Sequence, residues 1–416
     1  MSAQLNANAY FTREFPAGWQ RVRLGEVCKI NPPRNGNLKQ ASDVPTSFVP
    51  MAAVDERLGL IVRPETRPFA EVQKGYTFFL EGDVLFAKIT PCMQNGKHAI
   101  ARDLRDGIGF GTTEFHVLRP TSVIIPEWVH YFIRQPAILR AATAYFTGAV
   151  GQQRVPETYL SDLEISLPPL SEQKRIAAIL NEQMAAVERA RAAAEAQLES
   201  AKALPASYLR AVFNSPEAQK WPRKRIGDIC EIQLGKMLSP ASKTGTRPRP
   251  YLRNFNVQWT RFDLSDILEM DFGDGEQVKF ALRSGDLLVC EGGEPGRAAV
   301  WEGQIEPCYY QKALHRLRPL GESVVPYFLM YRLWLGAIMA EFFHSHAKTT
   351  IAHLPAVRLA ELSVGLPVAN EQRRIVANLA DQMAAAERTR KALEDQLATI
   401  KKLPAALLRR AFSGEV

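Results

Sequence analysis

Between Ser171 and Lys202, apolar or small side chains fall at Leu180, Met184, Val187, Ala194, Leu198 and Ala201. The pattern returns at Leu379, Met383, Ala386, Leu393, Leu397 and Ile400. Steps of four and three alternate, which is the seam of a coiled coil. Each copy breaks the seam at one matching place, with Arg191 and Arg390. The pattern predicts two long helices. Pro168 and Pro169 should stop a preceding strand, Ser171 should cap the first helix, and Glu172 lies where the helix dipole favours it. Pro205 and Pro404 should end the long helices, each followed by a shorter helical turn. About 32 residues of helix reach roughly 48 Å. A stripe of that length needs a partner, and the two copies are the economical choice. An antiparallel pair about a pseudo-two-fold axis results, with Arg191 and Arg390 near its middle and Glu188, Glu195, Glu387 or Glu394 available to hold them.

The helices belong to a larger repeat. Leu167–Phe213 and Leu366–Phe412 align without a gap at an offset of 199 (366 − 167), with more than half of the positions identical. WQRVRLGEVCKI from Trp19 matches WPRKRIGDICEI from Trp221, GDVLF from Gly82 matches GDLLV from Gly285, and FHVLRP from Phe115 matches LHRLRP from Leu314. FVPMAAV from Phe48 aligns with YLRNFNV from Tyr251. Between these anchors the halves diverge. RLGLIVRPETRPFAEVQ has no likeness to QWTRFDLSDILEMDFGD.

The regions before each long helix are mainly β. Short β-rich runs at Asp83–Ile89, Phe115–Leu118, Asp286–Cys290 and His315–Leu317 are bounded by Gly, Pro and Asn. One proline-opened helix is expected in each, Pro126–Arg134 and Pro326–Leu335. The expected architecture is α+β. An N-terminal segment (1–18) precedes a first head (19–166), a helical region (167–213), a linker (214–220), a second head (221–365) and a second helical region (366–416).

A net charge of +8 favours a polyanionic partner, most simply nucleic acid. Five scattered cysteines suit reduced thiols in a cytoplasm rather than a disulfide framework. No apolar run is long enough to span a bilayer, and the N-terminus lacks a signal-peptide pattern.

No motif argues for catalysis. INPPRNG at Ile30–Gly36 approaches the Asn-Pro-Pro-aromatic motif of amino-methyltransferases, but Arg34 stands in the aromatic position and no methyl-donor unit precedes it. A turn is expected there. EGGEPG at Glu291–Gly296 reads as a loop, and GIGFG at Gly107–Gly111 precedes a strand rather than a helix, so neither suits a dinucleotide. His344 and His346 have no neighbouring ligand cluster. His116 and His315 recur among apolar residues as half-buried, satisfied histidines, and Cys28 and Cys230 recur as small core residues.

What remains is a set of basic and amide side chains in comparable loops. In the first head they are Arg34, Asn35, Lys39, Lys88, Thr90, Gln94, Asn95, Lys97, Gln152, Gln153 and Arg154. In the second they are Lys236, Lys243, Arg247, Arg249, Arg253, Asn254, Asn256, Arg297, Lys348, Thr349 and Thr350. Arg and Lys suit phosphates and guanine edges, and Asn and Gln suit adenine.

LPPLSEQKRIAAIL and LPVANEQRRIVANL resemble the doubled helical-region motif of specificity subunits of type I restriction-modification systems. GDVLFAKITPCMQNGK, YLRNFNV and TTIAHLP are similar to segments of that family's target-recognition domains. The resemblance spans nearly the whole chain. It implies a non-catalytic DNA-binding subunit in which each head reads half of a split, asymmetric site while the helices set the separation. It also implies docking of two methyltransferase subunits, and of a motor-nuclease subunit for restriction. S-adenosylmethionine, ATP and Mg would belong to those partners. FVPMAAV lacks the Arg and Asn residues of YLRNFNV, so no base-contact role passes to Pro50, Met51 or Ala53. Two other classes stay open: a stand-alone methyltransferase using INPP, and a coiled-coil adaptor without DNA affinity.

Overall fold

The computed structural model describes residues 17–34, 41–149, 151–342 and 353–416, and the side chains of Ala241 and Lys243 are not described. The chain forms two compact units. One runs to Ala194 and adds Gln396–Val416, and the other is Glu195–Asp395.

In the first unit, a four-stranded antiparallel sheet has the order Cys28–Ile30, Phe115–Pro120, Val84–Ala87, His98–Ile100. A second sheet has the order Glu65–Pro68, Pro45–Val49, Ile108–Gly111, Thr77–Leu80, and its middle pair is parallel. Gln20–Arg23 pairs with Glu164–Leu167 in a ribbon that brings the beginning and end of the head together. Helix Pro126–Ile133 packs on the first sheet.

The second unit repeats this plan. Its antiparallel sheet has the order Cys230–Leu234, Leu314–Pro319, Leu287–Cys290, Ala298–Val300, covered by helix Pro326–Ile338. Its second sheet, Leu268–Asp271, Pro248–Leu252 and Tyr309–Tyr310, again holds one parallel pair. The closing ribbon joins Arg223–Arg225 to Ser363–Gly365.

A turn common to both heads explains the repeated Gly-Asp. Gly82 and Gly285 take positive φ (+85° and +92°), which favours glycine. Buried Asp83 and Asp286 then accept the backbone N–H of Leu80 and Arg283. Each carboxylate also receives two parallel bonds from an arginine on the neighbouring strand, Arg119 or Arg318.

The long helices run Leu170–Phe213 and Ala369–Ile400, and a separate helix Leu403–Phe412 follows the second. Leu180, Val187, Ala194, Leu198 and Ala201 are buried, as are Leu379, Ala386, Leu397 and Ile400, while Met184, Met383 and Leu393 are half-buried. The alternating spacing is therefore the buried stripe. In the second unit Tyr208, Leu209 and Val212 share a core with Ile375, Leu379 and Met383. In the first, Ile176, Leu180 and Met184 share one with Leu407, Leu408 and Phe412. The end of one helical region meets the beginning of the other, as antiparallel pairing requires.

These helices close the heads. Phe412 lies against Trp128 and Phe132 (centroids 4.4 and 5.6 Å), and Trp128 also meets Trp19. Phe213 lies against Trp221 and Phe328 (6.3 and 5.3 Å) in the second unit. Each head is thus completed by the last helical turns of the other repeat.

Several expectations need correction. Pro205 lies inside the first long helix instead of ending it. Its ring forfeits one helical hydrogen bond, but burial of Leu209 and its neighbours holds the turns beyond it. Pro404 does open a separate helix. The first long helix begins at Leu170, so Ser171 lies within its first turn rather than capping it. Each head has further helices besides the proline-opened one, including Glu157–Asp162 and Ala356–Glu361, too short to show a period. GIGFG does not precede a strand, because Ile108–Gly111 is itself one. His116 and His315 are buried rather than half-buried, and His315 is only half satisfied, since its Nδ1 has no partner among the described residues.

Candidate nucleic-acid interface

In the first head two loops meet at one sheet edge. Thr90 donates its N–H to Gln153, Val155 to Lys88, and Ile89 and Thr147 both bridge to Arg154. Lys88, Thr90, Gln153 and Arg154 are thereby brought together. Arg154 forks onto Glu114 (2.9 and 2.8 Å) and holds its carboxyl below the usual range. It also donates to the Gln152 carbonyl. Lys97 is tied to the Val54 carbonyl at 2.8 Å, with Glu56 at 3.8 Å. Arg34 lies over the rings of Phe69, Phe78 and Phe110 and donates to the Gln73 carbonyl. A cleft of about 290 Å³ joins Arg34 and Lys88 with Asn31, Thr77 and Phe78. Gln94, Asn95 and Gln152 are exposed. Asn35 and Lys39 lie outside the described residues.

In the second head, YLRNFNV ends in a short 3-10 turn, Asn254–Asn256. Buried Asn256 accepts from the Arg253 N–H and donates to the carbonyls of Asp263 and Asp266. Asn254 donates to the Gly292 carbonyl and accepts from Arg297, joining this turn to EGGEPG. Arg253 pairs with Asp266, Arg297 with Glu294, and Arg247 with Asp274. Lys236 is held by Glu276 and the Asp271 carbonyl, and Arg249 donates to the Pro248 carbonyl. Arg253, Asn254, Asn256 and Arg297 are brought together. Lys348, Thr349 and Thr350, like His344 and His346, lie outside the described residues.

Many of the candidate cations are thus already engaged within their own head. They build a rigid loop frame, while the exposed amides of the first head and the exposed Phe255 of the second face outward. Amides offer paired donors and acceptors for base edges, and half-engaged arginines keep N–H groups for phosphates. Among the described residues, no group of three His, Cys, Asp or Glu could hold a metal, and no helix is long and apolar enough to cross a membrane.

Asn31 of INPP has left-handed backbone (φ +45°), and its amide is committed inside the head. It donates to Glu157 at 2.7 Å, contacts His116 Nδ1 at 2.9 Å, and accepts the Val117 N–H. Its side chain is a strut of the turn. His116 and His315 each place Nε2 at 2.9 Å from a carbonyl, of Val155 and Leu354, and burial holds both below the usual imidazole range.

The motif LPxxxEQ conceals residues that sequence reasoning passed over. Fully buried Gln173 accepts the Ile125 N–H and donates to the carbonyls of Val123 and Pro168. Gln372 does the same with Val325, Ser323 and Pro367. Each amide clips the start of a long helix to the strand-to-helix loop of its head. Their recurrence at the repeat offset was the available signal.

A family model for the type I restriction modification DNA specificity domain matches twice, at residues 16–198 and 218–397. The chain is 34% identical over 209 residues to the type I restriction enzyme EcoEI specificity subunit of Escherichia coli, covering 50% of this chain and 34% of that protein. It is 38% identical over 164 residues to the EcoAI specificity subunit of Escherichia coli, covering 39% of this chain and 27% of that one. These alignments span about a third or less of the relatives' own length. Among solved structures, the HsdS subunit from Thermoanaerobacter tengcongensis superposes with TM-score 0.70 at 25% identity, covering 98% of this chain and 99% of that one. A chain from a structure concerned with complex assembly and conformational transition of the type I R-M system gives 0.76 at 25% identity, covering 97% and 100%.

Proposed function

The chain belongs to the type I restriction modification DNA specificity family, and from that premise we propose that it is the non-catalytic subunit that chooses the DNA sequence for a methyltransferase–endonuclease complex. Residues 19–166 and 221–365 act as target-recognition domains, each reading one half of a split, asymmetric site. The long helices act as the spacer and as the docking surface for two methyltransferase subunits. Those subunits bring S-adenosylmethionine, and a motor-nuclease subunit with ATP and Mg joins for restriction. The assembly works in the cytoplasm.

One observation carries this reading. The same family domain occurs twice on a repeated scaffold, while the loops at corresponding edges differ in nearly every side chain. One scaffold with two chemistries suits two dissimilar half-sites. Heads about one DNA turn apart, roughly 34 Å, would meet successive major-groove segments on one face of the duplex.

Exchanging 19–166 for the equivalent domain of another family member should change one half-site and leave the other intact, read by methylome mapping of cells carrying the whole system. Retention of both half-sites would overturn the assignment. A four-residue insertion in the first long helix should lengthen the tolerated spacer, and an unchanged spacer would refute the ruler.

A further inference from the structure

Arg191 and Arg390 interrupt otherwise apolar seams, and both are held on their own helices. Arg191 donates to Glu188 at 3.3 Å. Arg390 forks onto Glu387 (2.9 and 2.6 Å) and also reaches Glu394 at 2.6 Å. In the first unit a second arginine approaches the same carboxylate, because Arg57 Nε lies 3.2 Å from Glu188 Oε2. Arg57 belongs to the loop of a small hairpin, Val54–Asp55 with Leu60–Ile61. In the second unit the corresponding hairpin joins Val257–Gln258 with Arg261–Phe262, and Arg390, with a smaller contribution from Arg261, holds the Glu387 carboxyl below its usual range.

The hairpins are built not to flex. Asp55 accepts the N–H groups of Arg57 and Leu58, and Arg134 donates to the carbonyls of Glu56, Arg57 and Leu58. Gly59 has φ +67°, and a Cβ there would stand 1.9 Å from Arg134 Nη1. In the second head Trp259 stacks on Trp334 at 5.2 Å, and Thr260 donates its N–H to Ala298 on the sheet. The fastenings differ completely, and in the first head they hold Arg57 against the glutamate that binds the seam arginine.

We infer that Arg57–Glu188–Arg191 forms an ionic latch that sets the angle of the first head on its own helix segment, and through it the half-site spacing the subunit accepts. The inference rests on the DNA-specificity reading. An isolated exposed ion pair contributes little. Here one carboxylate serves two arginines, one on a rigid hairpin and one in the helix seam, so losing it frees the head rather than one side chain. Arg57 is a positioning residue.

The test uses the chain assembled with its methyltransferase subunits, and DNAs whose half-sites stand at the native spacing or one base pair longer. Arg57→Gln and Glu188→Gln should each reduce discrimination between the two DNAs about fivefold, and the double variant no further than Glu188→Gln alone, since that substitution already removes the contact with Arg57. Affinity for the native spacing should stay within about twofold, and Arg57→Lys should retain the discrimination. Matching hydrogen-exchange protection of the head would show that the variants fold. Unchanged discrimination in Arg57→Gln, or additive losses in the double variant, would overturn the latch while half-site preference left the broader reading standing. No half-site preference in the unsubstituted complex would instead overturn the reading on which the latch rests.

Discussion

The two heads bury opposite chemistry at the same place, where the proline-opened helix meets the antiparallel sheet. The first has His98, His130 and Arg134. The second has Ala298, Met330 and Trp334 at matching positions. His98 stacks on Phe86 at 4.2 Å and accepts the Ala87 N–H through Nδ1, so its proton sits on Nε2, where no partner among the described residues meets it. His130 Nε2 donates to the His98 carbonyl. Burial, with Arg134 beside it, pushes His130 down to about 3, and it pushes His98 down as well. The second head fills the space with Met330 and Trp334 and needs none of these bonds. A shared backbone plan thus accepts a polar hub or an apolar one, provided the hairpin tip is fastened. Divergence between the heads reaches from the loops into the core.

The contrast can be broken from either side. Trp334→Ala should have the largest effect, about 3 kcal/mol, from the lost stack on Trp259 and the cavity left behind. Hydrogen exchange should rise in 257–262 and not in the first head. Arg134→Ala should cost the first head about 2.5 kcal/mol, because three loop carbonyls lose their donor. Its exchange signature should be confined to 54–61. Acid should separate the heads without any substitution. His130 is charged in the unfolded chain below its ordinary 6.5 but stays neutral when folded down to about 3. Its contribution is therefore complete above 6.5 and is lost as pH falls through that window, about 2 kcal/mol by about pH 5. His98 acts in the same direction, whereas His116 and His315 affect both heads alike. Denaturant melts followed by exchange at about pH 7 and about pH 5 should show the first head losing more. The smallest effect belongs to His130→Met, which imports the second head's residue. It should cost about 1 kcal/mol at neutral pH and flatten the acid slope of the first head.

The long helices were legible because a buried stripe writes its period into the sequence. Leu180 to Ala201 and Leu379 to Ile400 needed no tertiary knowledge. The helix ends were less legible. Pro205 is a local stop signal overridden by packing around Leu209, contacts far away in the chain. Arg, Asn and Lys in loops suit DNA contact. The same residue types also serve the head's own structure, where Asn256 holds a turn and Lys236 pairs with Glu276. Met51–Ala53 makes the same 3-10 turn as Asn254–Asn256 without an asparagine, so the turn alone does not demand one. Gln173 and Gln372 were visible as recurring letters, but their role lies in carbonyls about fifty residues away.

The nesting of Phe412 beside Trp128, and of Phe213 beside Trp221 and Phe328, makes each head a cartridge in a common holder. The holder contributes a phenylalanine from one repeat and a glutamine clip from the other. The cartridge needs only a receptive aromatic wall and the loop that meets the clip. Any head that keeps those two fittings can be exchanged for another without disturbing the packing of the helical region that holds it.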